Sequence, residues 1–188
     1  MLGIRIHGRG GQGAVVASKI LAKAYFRQGL FVQAFPAFGM ERRGAPVAAY
    51  VRVDVTRARA RGEITNPDVC VVLDPKLLEL VDVTKGLASE SILILNYPVA
   101  SNAPTFKAVG IQAVVNANEI ALTHGLGSRL APIVNTVILG AYAKVVRKPL
   151  LEMQNLIEAI KESVPSKQKQ NAAAAYQAYE LVEIQEKI

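Results

Sequence analysis

Apolar and polar positions follow two periods along this chain. Leu2, Ile4 and Ile6 alternate with Gly3, Arg5 and His7, which predicts a strand over residues 2–7. Val15, Val16, Leu21, Ala22, Tyr25 and Phe26 then recur at helical spacing, predicting a helix over residues 14–28. A second strand begins at Leu30-Phe31-Val32 and must end early, because Pro36 and Gly39 follow. Residues 47–54 alternate as a third. Unbroken apolar runs at 69–73 and 92–95 suit strands covered on both faces, as in a parallel sheet, and 111–115 is a further strand. Asp74-Pro75 opens a short helix through Leu80 with Asp74 as its N-cap, and Asn116 caps a helix running to His124.

The last third reads as helical. Pro132 opens a long helix to Val146, in which Gly140 allows close helix approach. Asn135 and Thr136 interrupt its apolar surface, and a buried Asn needs partners. Pro149 starts the next helix, with Met153, Leu156, Ile157, Ile160 and Val164 on its apolar face. Residues 166–171 are a polar linker or a helix start. Ala172, Ala175, Tyr176, Tyr179 and Val182 then form a narrow seam that docks back on the domain or reaches into a partner chain. The expected fold is α/β: a Rossmann-like, mainly parallel sheet flanked by helices, with a helical C-terminal extension. Residues 1–188 are read as one domain, of which 167–188 are the helical tail.

Between the first strand and the first helix stand Gly8, Arg9, Gly10, Gly11, Gln12 and Gly13. Gly8, Gly10 and Gly13 satisfy G-x-G-x-x-G at a strand-to-helix turn. Glycine there permits positive φ and close backbone approach, and free N–H groups at the helix start favour an anion. The alternative is a tight turn that only packs helix against strand. A dinucleotide site also requires a carboxylate about 20 residues on, where Gln33 stands instead; the next acid is Glu41. NAD is therefore disfavoured.

The chain has 188 residues, 51% hydrophobic, enough for one core. No apolar run is long enough for a membrane span and no signal peptide is apparent, so a cytoplasmic protein is expected. One cysteine, Cys70, excludes a disulfide framework and any cluster held by this chain's thiolates alone; it lies in a buried strand and reads as inert. Two histidines, His7 and His124, do not make a metal site. A net charge of +7 points to an acidic partner or an anionic ligand, but no nucleic-acid motif is present and aromatics are only 6%. Arg57, Arg59 and Arg61 align on one side of an extended stretch, as a protected edge or a binding stripe.

Catalytic groups are not found: there is no G-x-S-x-G elbow, no G-K-[ST] loop, and no paired Cys or His at ligand spacing. Glu41, Arg42, Arg43 and Gly44 form the densest charged loop beside a glycine, either a contact site or a solvated turn.

The run from Ile4 to Gly13 resembles the opening of the gamma subunit of 2-oxoacid:ferredoxin oxidoreductases. The likeness continues through Val32-Gln33-Ala34-Phe35-Pro36, Gly39, Glu41-Arg42-Arg43-Gly44-Ala45-Pro46-Val47 and Arg52. Asn66-Pro67-Asp68, Asn135-Thr136 with Leu139-Gly140, and Asn171, Ala174 and Tyr179-Glu180 extend it over essentially the whole chain. The E-R-R-G-A-P-V string is closest to the pyruvate branch. The resemblance implies a subunit that is inactive alone, within a complex that oxidatively decarboxylates a 2-oxoacid to acyl-CoA and CO2. Thiamine diphosphate with Mg2+ would lie in the alpha and beta subunits. Iron–sulfur clusters would lie in the beta and delta subunits or fused equivalents, with ferredoxin or another acceptor served by the complex. This chain would hold no catalytic residue, metal or cofactor alone, and would bind neither nucleic acid nor membrane. Residues 8–13 and 41–44 become candidates for coenzyme A or subunit contacts. The alternatives are the same complex acting on a branched-chain or aryl 2-oxoacid such as phenylglyoxylate, and a stand-alone Rossmann-like nucleotide module.

Overall fold

The computed structural model describes residues 1–37, 44–56 and 62–186. In chain order the first elements are β1 (Leu2–Arg9), α1 (Ala14–Arg27), β2 (Phe31–Pro36), β3 (Pro46–Asp54), β4 (Val69–Val72) and α2 (Leu77–Leu80). They are followed by β5 (Ile92–Asn96), β6 (Ile111–Val115), α3 (Ala117–Thr123), β7 (Gly127–Ser128), β8 (Ala131–Pro132), α4 (Val137–Val145), α5 (Met153–Ser163), α6 (Gln168–Leu181) and β9 (Glu183–Glu186).

Seven strands form one sheet in the order β2-β3-β1-β4-β5-β6-β9. The centre β1-β4-β5-β6 is parallel, as the buried apolar runs predict, and β3, β2 and β9 extend it antiparallel. This is the expected α/β class. One face carries the larger core, in which Ile4, Ile6, Val71 and Ile94 pack under α1, α3, α4, α5 and α6. On the other face Cys70, Val72, Leu93 and Leu95 pack against Leu77 of α2, Val83 and Val109.

Several boundaries differ from expectation, among them α2, which starts at Leu77 with Lys76 as its N-cap residue, where Asp74 was expected to cap it. β1 runs on through Gly8 and Arg9, because both pair with β3 at Val47 and Pro46. β2 includes Pro36, which an edge strand tolerates because one side of it needs no ladder donor. Pro132 opens no helix: it sits in β8 opposite Gly127, Ile133 N donates to Leu126 O (3.1 Å), and α4 starts only at Val137. Likewise α5 starts at Met153, four residues after Pro149, because Arg147 and Leu150 bridge as an isolated antiparallel pair.

The tail also differs. Its buried seam is Asn171, Ala172, Ala174, Ala175 and Ala178, while Tyr176 stays about half exposed. The physical reason is Gly140 on α4. A Cβ there would run into the Ala175 carbonyl oxygen, so the two helices meet backbone to backbone and only small side chains fit between them. Beyond α6 the chain is not helical, since β9 pairs antiparallel with β6, with Glu183 opposite Val114 and Gln185 opposite Gln112. The tail docks back on its own sheet. Among the described residues no helix is long and apolar enough to cross a membrane.

Candidate functional site

The carboxyl ends of β1, β4, β5 and β6 lie along one edge of the sheet, where open α/β sheets place ligands. The glycine turn leaves β1 there, and each glycine has a separate cause. A Cβ on Gly8 would stand 3.1 Å from Ala14 Cβ and 3.2 Å from Leu73 Cδ1, so its absence lets α1 sit down on the sheet. Gly10 is a backbone bridge: its N–H donates to Ala45 O (2.9 Å) and its carbonyl accepts from Gly44 N–H (3.1 Å). Gly11 has φ +93° and open space where a side chain would go. Gly13 has φ +83°, and a Cβ there would collide with the Asn135 carboxamide, whose Cγ lies 3.0 Å from that position.

The Gly10 bridge joins the two stretches that the sequence marks separately, since Gly44 stands directly against the turn. Glu41, Arg42 and Arg43 lie outside the described residues, as do Arg57, Arg59 and Arg61.

Arg9 and Gln12 turn back onto the scaffold. Gln12 Oε1 accepts from Arg9 N–H (2.7 Å) and its Nε2 donates to Asp74 Oδ2 (2.6 Å). The Arg9 guanidinium reaches the same oxygen at 2.7 Å, while Asp74 Oδ1 accepts from Lys76 N–H at 2.9 Å. Arg9 Nε is buried and has no hydrogen-bond partner. Asp74 thus locks the turn, the role that sequence reasoning missed in assigning it only to capping. Its place directly after the buried β4 run was the available signal. Asn135 was flagged as needing partners; its Oδ1 accepts from Thr136 N–H (3.0 Å), and its side chain closes on Gly13.

Helix α1 begins at this turn with no side-chain cap and no acid in its first turn, which leaves its positive end available to an anion. Access is from the Gly11 side, because Asn135 fills the Gly13 side. A dinucleotide does not fit. The strand after α1 is separated from β1 by β3, with which it pairs antiparallel, so Gln33 does not stand where a ribose-binding carboxylate belongs.

The three other flagged side chains, His7, Cys70 and His124, are quiet. Burial, with help from the Arg5 cation and against the Asp82 carboxylate, lowers the His7 pKa to about 4. Burial pushes the Cys70 thiol up to about 11, which keeps it unreactive near neutrality. His124 Nε2 is hydrogen-bonded to Gln177 Oε1 at 2.7 Å, at the C-terminal end of α3. A separate cleft of about 410 Å³ opens beside the ends of β5 and β6, lined by Tyr97, Val99, Asn116, Glu119 and Leu181 among others, and no residue of the glycine turn reaches it.

Fold and site together define a Rossmann-like α/β module whose glycine turn serves backbone contacts at the sheet's carboxyl edge and carries no evident reacting group. The chain belongs to the pyruvate ferredoxin/flavodoxin oxidoreductase family, whose model matches residues 3–181. It is 47% identical to the pyruvate/ketoisovalerate oxidoreductases common subunit gamma of Pyrococcus furiosus over 188 residues, covering 98% of each chain. It is also 47% identical to pyruvate synthase subunit PorC of Methanothermobacter thermautotrophicus over 185 residues, 97% of each. The crystal structure of pyruvate oxidoreductase subunit PORC from Thermotoga maritima superposes with a TM-score of 0.77 at 33% identity, covering 98% of both chains.

Proposed function

We infer that this chain is the gamma subunit of a 2-oxoacid:ferredoxin oxidoreductase of the pyruvate type, and that residues 8–13 and 41–44 form its contact with coenzyme A or with the subunit that holds it. Full-length similarity to gamma and PorC chains supports the first part. The observation that supports the second is the Gly10–Gly44 bridge, which brings Gly44 directly against the glycine turn.

Chemically, this surface binds and orients. N–H groups at the α1 start and the arginines of the 41–44 loop suit the phosphate oxygens of a coenzyme. Arg9 is held in place by Asp74 and does not swing out to a ligand; it offsets the carboxylate charge that would otherwise repel an anion beside the turn. Thiamine diphosphate with Mg2+ and the iron–sulfur clusters would be held by alpha, beta and delta subunits or fused equivalents, which fits a chain whose one thiol is buried in β4. When bound, thiamine diphosphate supplies the decarboxylation chemistry; this chain only closes the coenzyme side. A relative named as common to pyruvate and ketoisovalerate oxidoreductases favours a gamma chain that does not choose the 2-oxoacid.

Arg43→Ala tests the site in the assembled complex. We expect KM for coenzyme A to rise about tenfold, near the loss of one charge-assisted hydrogen bond of ~1.4 kcal/mol. KM for pyruvate should stay unchanged. Equal coenzyme A kinetics in wild type and variant, with unchanged subunit content, would remove the loop from the site.

A further inference from the structure

We propose that the β7–β8 hairpin is an anchor that plugs Leu130 into an apolar, acid-rimmed cleft of a neighbouring subunit. Leu130 is 99% exposed, more than any other large apolar side chain of the described residues. It stands at the tip of the two-residue turn between Ser128 and Ala131, beside exposed Arg129, with Ile133 nearly half exposed at the base. A single exposed leucine on a helix or a flexible loop would need no explanation. This one is presented on a braced support.

The bracing is built from both ends. Gly127 has φ +84°, and a Cβ there would strike Ala131 O and come within 2.9 Å of Ile133 N, so the strands are as close as glycine allows. Ser128 Oγ accepts from Ala131 N–H at 3.3 Å. Leu126, the residue before the hairpin, is fully buried; its N–H donates to Ala121 O (2.8 Å) and its carbonyl accepts from Ile133 N–H. Lys167, in the left-handed region at φ +55°, lays its ammonium on Gly125 O. A tip ordered in advance loses little conformational entropy on docking, which favours an anchor over a disordered tail.

The occupant's chemistry follows from the tip. Leu130 asks for an apolar cleft. Arg129 makes no hydrogen bond or ion pair with any described residue, so a carboxylate at the rim of the cleft would complete it. Two residues past the base of the hairpin, Asn135 packs on Gly13. A chain gripping the tip is thereby held in register with the glycine turn. The inference rests on the chain being a subunit and not on coenzyme A contact.

The test uses the whole complex, purified through a partner subunit, with dissociation of this chain followed by native mass spectrometry on dilution. Leu130→Ala should weaken its retention about 10- to 100-fold, the range for withdrawing one buried leucine side chain. Leu130→Asp should weaken it further, and Arg129→Glu should do so with a lower salt dependence. Leu80→Ala, at another strongly exposed leucine, is the control and should leave retention unchanged. The Tm of each isolated variant should match wild type, because Leu130 contributes nothing to the core. Retention of both Leu130 variants at the wild-type constant would overturn the proposal, as would equal loss in Leu80→Ala. Coenzyme A kinetics in the complex that remains assembled report separately on the glycine turn.

Discussion

His7 shows how a single side chain in β1, the strand that leads into the glycine turn, behaves as structure. Its Nε2 is shut off from solvent without a hydrogen-bond partner, and Arg5 lies on the same face of β1 with its guanidinium bonded to Val83 O (3.0 Å) and Lys85 O. A proton on His7 would therefore be desolvated beside a cation. With its folded pKa lowered from 6.5 to about 4, the unfolded chain binds more protons between those values. The stability this provides is complete above pH 6.5 and is lost as pH falls towards 4, on the order of 3 kcal/mol in all. Thermal unfolding of the isolated chain between pH 7 and 4 should show this loss, and His7→Gln should flatten it. An equal slope in the variant would assign the acid sensitivity to other groups. Residue-scale reading of the sequence did well with inert groups such as Cys70 and poorly with Asp74. Its carboxylate matters through Arg9 and Gln12, which are more than sixty residues away and meet it only once β1 and β4 are paired.

Among elements, the parallel strands were the most legible, since a run buried on both faces has no alternative reading at that length. Prolines misled in two places. At Pro132 and Pro149 the ring looked like a first helical residue, yet Pro132 lies in β8, where the next residue Ile133 donates to Leu126 O, and Pro149 lies in the turn between Arg147 and Leu150, its carbonyl accepting from Tyr25 Oη. The tyrosines of α6 misled for a different reason: a period marks a face but not how near the neighbour comes. Gly140→Ala measures that distance. Alanine would gain about 1 kcal/mol in helix propensity, but its methyl meets a backbone oxygen that cannot rotate away. The helices must part at a cost of about 2–3 kcal/mol, which exceeds that gain, so we expect Tm to fall by roughly 2–8 °C. A rise in Tm would mean that the interface yields without strain.

At the scale of the whole molecule, similarity over the full chain and the order of the sheet agree on what this subunit is, and the sheet edge is where the fold could not be foreseen. β9 carries no strong pattern: Glu183, Ile184, Gln185 and Glu186 become a strand only because β6 offers them an open ladder. Deleting residues 183–188 should leave the fold assembled but raise hydrogen exchange of residues 111–115 about tenfold or more, with a greater tendency to self-associate through the bared edge. Unchanged exchange would mean that β9 is a passive end.

Because α6 leads directly into β9, the missing methyl at position 140 governs more than one pair of helices. Moving α6 outward by the width of a methyl group would pull the last strand along its ladder or off it. The rim of the sheet is thus held shut by a contact on the opposite side of the core. In this subunit a defect inside the helical layer would be felt first as an unzipped edge, where a stray strand from another molecule could enter.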